Sequence, residues 1–245
     1  MAQQEEEWFS TWFDSPYYHI LYKNRDEQEA QQFIDTLLTY LHPKPHEKIL
    51  DLACGKGRHA VYLNQKGYDV TGIDLSEQSI AYARQFENER LHFAVHDMRE
   101  VYQPESFDFI LNLFTSFGYF TNETENVVAL CAVAKSLKHG GKLVIDFMNT
   151  ELTINNLVAE EVKEVQGIKF CIHRGVENGF VVKTIRFTDN GRDYCFEERV
   201  RALRQEDFTE YFKMAQLRLA DVFGDYDLRP YDPAQSERMI FVLKK

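Results

Sequence analysis

Cysteine is scarce, with 4 in 245 residues, at positions 54, 131, 171 and 195. None forms a Cys-x-x-Cys pair, which argues against a redox or zinc motif and for reduced, mostly buried thiols in a cytoplasm. His-Glu-x-x-His, an EF-hand loop and paired Cys/His clusters are missing as well. His92 and His96 share a strand face, but strand residues that far apart do not easily hold one metal. No metal is expected. Positive charge is also in short supply: 28 basic residues against 39 acidic give a formal charge of −11. Most of that surface repels a phosphate backbone, so nucleic acid is not an expected partner. No uncharged run approaches the roughly eighteen residues of a membrane span. Met1-Ala-Gln-Gln-Glu-Glu-Glu7 lacks the basic start of a signal peptide, so no membrane partner and a cytoplasmic location are expected.

What is present suits a globular α/β protein. The hydrophobic content of 44% is enough for a core. The length fits one large domain with an embellishment, or a domain plus a small lid. Apolar Ala30, Phe33, Ile34, Leu37, Leu38 and Leu41 recur at helical spacing over Glu27–Leu41, and Pro43 and Pro45 stop the run. Strands and helices then alternate. Strands are predicted at Lys48–Ala53, Tyr68–Leu75, Leu91–Asp97, Phe107–Leu113 and Lys142–Phe147. Helices are predicted at Arg58–Gln65, at Ser76–Glu87 with Ser76 as N-cap, and at Glu123–Leu137, followed by Gly140-Gly141. Such βαβ units make a parallel sheet buried on both faces.

After Asn149 the pattern changes. Lys163–Gln166, Ile168–Arg174, Phe180–Phe187 and Tyr194–Leu203 read as strands, and Asn178-Gly179 and Asn190-Gly191 are strong hairpin signals. An antiparallel sheet, plausible as a cover over a ligand cleft, is expected there. A helix at Asp207–Ala215 and two strands, Leu217–Phe223 and Arg238–Leu243, close the chain. The division that follows is 1–45 as an aromatic helical cap, 46–150 as a Rossmann-like core, 151–206 as an inserted β lid, and 207–245 as the end of the core.

The segment richest in chemistry is Asp51-Leu-Ala-Cys-Gly-Lys-Gly57, which closes the Ile49-Leu50 strand and is followed by Gly72-Ile-Asp74. Gly55 and Gly57 let a loop press against a flat ligand and can offer N–H groups to a ligand carboxylate near the helix start at Arg58. Asp74 ends the second strand, where it can accept both ribose hydroxyls or serve as a second helix cap, and Leu75 would line an adenine pocket. Asp51 discriminates between ligands. The pyrophosphate of a dinucleotide at this turn would be repelled by it. S-adenosylmethionine has no phosphate and carries a sulfonium and an ammonium, which an acid favours.

Asp97-Met98 ends the third strand. The carboxylate can accept the adenine amine, while the Met98 N–H and thioether address the ring. Asn112-Leu-Phe-Thr-Ser-Phe-Gly-Tyr-Phe120 leaves the fourth strand, where open α/β sheets bind ligands. Asn112 and Leu113 should therefore meet the donor, and the aromatics can pack on a sulfonium, on a planar substrate or in the core. Trp8-Phe-Ser-Thr-Trp-Phe13 and Tyr17-Tyr-His-Ile-Leu-Tyr22 read as a helix pair docking on the sheet or on a second subunit. Tyr18, His19 and Tyr22 offer polar tips, and Arg25 can pair with the donor carboxylate. The run Glu5-Glu-Glu7 reads as a solvated end.

In order, these pieces resemble the class I S-adenosylmethionine-dependent methyltransferases. The matching segments are Asp51–Gly57, Gly72-Ile-Asp-Leu-Ser76, His96-Asp-Met98, Phe107–Asn112 and Gly140-Gly-Lys-Leu-Val-Ile-Asp146, within residues 48–149. The resemblance implies a Rossmann-like, mostly parallel seven-stranded sheet whose last strand, Arg238–Leu243, is antiparallel. It also implies that Gly55 and Gly57 contact the methionine portion, Asp74 the ribose, and Asp97 with Met98 the adenine. The usual glycine at position 53 is Ala here, which tightens the turn. Asn112-Leu-Phe-Thr lacks the Pro-Pro pair typical of enzymes that methylate DNA bases or glutamine amides. The aromatic N-terminus and the hairpins look like the subgroup acting on small molecules.

Direct in-line methyl transfer to a small-molecule acceptor, leaving S-adenosylhomocysteine, is the expected activity. It depends more on alignment than on covalent catalysis. Tyr18, His19 and Tyr119 are the candidate bases if the acceptor must lose a proton. Two alternatives stand beside this reading. One is a non-catalytic S-adenosylmethionine-binding protein. The other is an NAD-dependent oxidoreductase, which explains Gly-x-Gly-x-x-Ala60 and Asp74 but not Asp51. The aromatic segment fits either a monomer or a homodimer.

Overall fold

The computed structural model describes residues 8–23 and 27–245. In chain order these form α1 (Trp8–Phe13), α2 (Pro16–Leu21), α3 (Glu27–Leu41), β1 (Lys48–Leu52), α4 (Arg58–Gln65), β2 (Asp69–Asp74), α5 (Glu77–Ala83), β3 (Leu91–Val95) and β4 (Phe107–Asn112). Then come α6 (Glu123–Ser136), β5 (Leu137–Met148), α7 (Thr150–Asn155), β6 (Glu160–Val165), β7 (Ile168–Glu177), β8 (Phe180–Asp189), β9 (Arg192–Arg201), α8 (Gln205–Met214), β10 (Arg218–Phe223) and β11 (Arg238–Lys244).

Seven strands form one sheet in the order β10-β11-β5-β4-β1-β2-β3. β11 runs antiparallel between β10 and β5, and the remaining pairings are parallel. Alternation along the strands feeds two apolar layers. Leu50 and Leu52 pack with α6 and α8 through Leu130, Val133, Phe208 and Phe212. Ile49 packs on the other face with Phe33, Leu37, Leu63 and Ile80 of α3, α4 and α5. Strand order reverses between β1 and β4, so a crevice opens beyond their carboxyl ends. Both functional loops, after β1 and after β4, start at that point.

The second sheet has the order β6-β7-β8-β9, antiparallel throughout. At its hairpins Asn178-Gly179 and Asn190-Gly191 both take positive φ, +50° and +79°, then +49° and +74°. Two consecutive left-handed residues give the primed turn that matches strand twist. Gln166-Gly167 makes the same turn between β6 and β7 with φ of +53° and +79°. Glutamine is not a sequence signal for this geometry, and the sequence places β6 three residues late, at Lys163 instead of Glu160.

The aromatic helix pair docks on this second sheet. Trp12 and Leu21 are buried with Ile168, Phe170, Ile172, Ile185 and Phe187. Ser15 caps α2, accepting from the Tyr17 N–H, and Pro16 opens the helix where its missing N–H costs nothing. Two further elements differ from the sequence expectation. α7 is absent from the sequence reading because Thr150–Asn155 has no apolar period. It forms because the Asn149 side chain caps it and Thr150 Oγ1 donates to the Leu203 carbonyl at 2.5 Å. β5 starts at Leu137 and passes through Gly140-Gly141, whereas the sequence begins that strand at Lys142. No helix among the described residues is long and apolar enough to cross a membrane. The acidic run Glu5–Glu7 lies outside the described residues.

Candidate functional site

The turn after β1 is built from left-handed backbone. Ala53, Gly55 and Gly57 have φ of +60°, +54° and +80°. At Ala53 this conformation costs about 1–2 kcal/mol that glycine would avoid. The two glycines do different things. The Gly57 N–H donates to the Cys54 carbonyl at 3.0 Å, and a Cβ at Gly57 would lie 2.6 Å from the Phe93 ring. Gly57 is thus demanded by packing beneath the turn. The Gly55 N–H donates to Asp74 Oδ2 at 2.8 Å, and a Cβ there would meet nothing within 4 Å. These bonds correct the expectation that both N–H groups await a ligand carboxylate. Gly55 leaves open space instead.

Asp51 also departs from expectation. It is 1% exposed, off the cavity wall, and its Oδ2 accepts from the Ala60 N–H at 3.1 Å. Its carboxylate supports the first turn of α4 from below, so any action on a ligand passes through its field and not through contact. Burial pushes its pKa up to about 7 against the pull of that amide, and the nearby Asp74 adds to the rise. Asp74 stands on the cavity wall with both oxygens engaged. Oδ2 holds Gly55 and Oδ1 accepts from the Ser76 N–H at 2.8 Å, so ribose binding and helix capping are compatible roles. Burial raises its carboxyl too, more than those amide bonds lower it. Asp14, between α1 and α2, accepts from Ser76 Oγ at 2.6 Å and from the Gln78 N–H, joining the aromatic cap to the same corner.

One cavity of about 730 Å³ runs from this corner to the second sheet, within the roughly 300–1,000 Å³ of ordinary small-molecule sites. Ala53, Gly55, Asp74 and Leu75 form one end, with Asp97 and Met98 beside them. Burial alone would raise the Asp97 carboxyl, but Arg99, hydrogen-bonded to it at 2.6 Å and paired with Glu125, holds it below the usual range. Leu113, Tyr18, His19, Tyr22 and Tyr119 also line the cavity. The Tyr119 phenol donates to the Thr115 carbonyl at 2.5 Å, which commits its proton. Asn112 is not on the wall: its Nδ2 donates to the carbonyls of Leu52 and Ser116, tying β4 to β1, and its buried Oδ1 has no hydrogen-bond partner among the described residues. Arg25 lies outside the described residues.

Other wall residues are not individually marked by the sequence, although Trp8–Phe13 and Phe114 lie in its aromatic segments. Trp8, Phe9 and Phe13 of α1 line the cavity against Tyr119, and Phe114 and His59 stack at 5.0 Å on the side of α4. From the second sheet come Glu198 and Val200 of β9. Glu198 is tied to the cap by Trp12 Nε1 at 2.7 Å and by the Tyr22 phenol at 2.6 Å, with Lys183 at 3.5 Å. These contacts join residues 176 and 186 positions apart, which no local pattern reveals. Beneath the wall, Asp146 is fully buried against Arg238 at 2.7 Å.

Comparison with known proteins adds to this geometry. The family described as a methyltransferase domain matches residues 49–141. The putative methyltransferase YqeM of Bacillus subtilis (strain 168) is 30% identical over 209 residues, 81% of this chain and 84% of that protein. The dTDP-3-amino-3,4,6-trideoxy-alpha-D-glucopyranose N,N-dimethyltransferase of Streptomyces venezuelae is 28% identical over 131 residues, 53% of this chain and 54% of that protein. The fold is shared with a crystal structure of a S-adenosylmethionine-dependent methyltransferase from Clostridium acetobutylicum ATCC 824. Its TM-score is 0.77 at 22% identity, over 93% of this chain and 95% of that one.

Proposed function

The chain belongs to the class I S-adenosylmethionine-dependent methyltransferases, and we propose that its acceptor is a small molecule enclosed between the crevice, the aromatic cap and the second sheet. The observation that carries this is one continuous cavity bordered by Gly55 and Asp74 and also by Glu198 and Val200. A donor and an acceptor can share such a space. A macromolecular acceptor would need an open face where the cap and β9 now stand.

The donor end fits the methyl donor. Gly55 leaves a cradle that a Cβ would fill, and Asp74 presents a carboxylate beside it. When bound there, the donor supplies a methyl carbon on a sulfonium, whose C–S bond breaks with its electron pair left on sulfur. The residues of this chain bind and align. Asp74 would hold the ribose hydroxyls, Leu75, Asp97 and Met98 the adenine, and Gly55 with Ala53 and Leu113 the methionine portion. Burial favours the neutral forms of Asp51 and Asp74, and a bound cationic end would draw both toward the carboxylate. Alignment of the two reactants against the cap supplies much of the rate. Tyr18 and His19 are the wall groups positioned to take a proton from the acceptor.

Calorimetric titration with S-adenosylhomocysteine tests the donor end. A screen of small amines, alcohols, thiols and acids with labelled S-adenosylmethionine tests the acceptor class. Methylation of protein or nucleic acid in that screen, with every small molecule inert, would refute the enclosed-acceptor reading.

A further inference from the structure

Four carboxylates border the cavity, Glu27, Asp74, Asp97 and Glu198, and they are not equivalent. Asp74 has an oxygen on each of two backbone amides, and Asp97 is gripped by Arg99. Glu27 is exposed in the first turn of α3. Glu198 alone projects from the second sheet, opposite the donor end, and its two oxygens are unequally used. Oε1 takes both Trp12 Nε1 at 2.7 Å and the Tyr22 phenol at 2.6 Å. Among the described residues, Oε2 meets only the Lys183 ammonium, at 3.5 Å, too long for a strong hydrogen bond. A carboxylate oxygen has about two acceptor sites, so Oε2 retains room for a donor.

The surroundings select that donor. Tyr22, Tyr18, Phe13 and Tyr119 form a continuous run of rings on the same wall, with successive centroids 4.9, 5.0 and 5.4 Å apart. Ring faces attract cations and repel anions. Lys183 is itself disfavoured as a cation: burial pulls its pKa down more than the Glu198 charge pushes it up. The Tyr22 phenol, which accepts from Lys183 and donates to Glu198, fixes the carboxylate in place.

We propose that Glu198 Oε2 anchors an amino group, so that the acceptor is a small amine and the product an N-methylated amine. The statement rests on the donor reading above and narrows it. An alcohol offers Oε2 one neutral hydrogen bond, and a carboxylic acid meets repulsion from both Glu198 and the rings. In the transfer, the ammonium held by Oε2 first gives one proton to His19 on the cavity wall and keeps another N–H on Glu198. The nitrogen lone pair then forms the N–C bond as the C–S bond breaks, its electron pair staying on sulfur.

The test uses the intact protein saturated with S-adenosylhomocysteine and three isosteric probes, cyclohexylamine, cyclohexanol and cyclohexanecarboxylate. Cyclohexylamine should bind at least about tenfold tighter than cyclohexanol, and the carboxylate most weakly. Glu198→Gln should erase the preference for the amine and leave S-adenosylhomocysteine affinity unchanged. Lys183→Met, which removes the competing cation, should keep that preference and covers the case in which the first variant does not fold. Carboxylate binding as tight as amine, no binding of any probe, or an amine preference that survives Glu198→Gln overturns the proposal and leaves the donor reading standing. Failure of S-adenosylhomocysteine to bind the wild-type protein overturns both.

Discussion

The Gly55 N–H donates to Asp74 Oδ2 at 2.8 Å, locking the turn after β1 to the end of β2. The same carboxylate caps α5 through Ser76. One side chain therefore shapes the donor end before any ligand arrives.

Replacing Asp74 with Ala should weaken S-adenosylhomocysteine binding by about 1–3 kcal/mol, through lost ribose hydrogen bonds and a loosened turn. Calorimetry reads the change and circular dichroism checks folding. Unchanged affinity in a folded variant removes the ribose assignment.

The two glycines of the turn should separate stability from binding. Gly57→Ala places a methyl 2.6 Å from Phe93 at φ of +80° and should lower the unfolding free energy by more than the roughly 1–2 kcal/mol of the left-handed conformation alone. Gly55→Val finds open space, so its larger effect should be on ligand affinity, where the side chain enters the cradle. Urea melts and titrations of both variants measure this; equal effects on both properties contradict the division of roles.

The buried acid Asp51 makes stability depend on pH. Its pKa of about 7 in the folded chain exceeds the roughly 3.9 of an unfolded aspartate. The neutral form is thus favoured by folding, and this contribution is complete below about pH 4 and lost as pH rises through 7. Asp51→Asn should flatten the stability profile between pH 4 and 7. A cationic donor favours the ionised acid, so S-adenosylmethionine affinity should decline as pH falls below 7, less so in the variant. Parallel profiles for variant and wild type rule out Asp51 as the titrating group.

The Arg238–Asp146 pair supports the cavity wall from underneath. Asp146 Oδ2 accepts from the Phe114 N–H at 2.7 Å, and an Arg238 terminal nitrogen donates to Thr115 Oγ1 at 2.8 Å. Phe114 and Thr115 both sit at φ of +58°, a conformation held by those bonds. Arg238→Met removes the cation that faces Asp146 at zero exposure and should cost about 3–5 kcal/mol. Denaturant melts check this. A loss below 1 kcal/mol means that the pair does not carry the loop.

Much of this protein is legible along the chain. The βαβ succession follows from apolar runs alternating with helical stripes, and the hairpins at Asn178-Gly179 and Asn190-Gly191 follow from residues that tolerate positive φ. Ser76 as N-cap and the open side of Gly55 rest on equally local stereochemistry. The turn at Gln166-Gly167 and the helix at Thr150–Asn155 escape because their causes are a strand partner and a cap contact supplied by tertiary packing.

The sequence by itself determined most of the elements, the Asn-Gly turns and the acids at the carboxyl ends of β1 and β2, since each is set by neighbours within a few residues. Only the tertiary structure decided that Asp51 is buried support, that Asn112 binds main chain, and that Glu198 meets Trp12 and Tyr22 across the cavity. Those outcomes depend on which surfaces pack together, at Glu198 across 176 and 186 positions of chain, and packing is a property of the closed fold that no local period encodes.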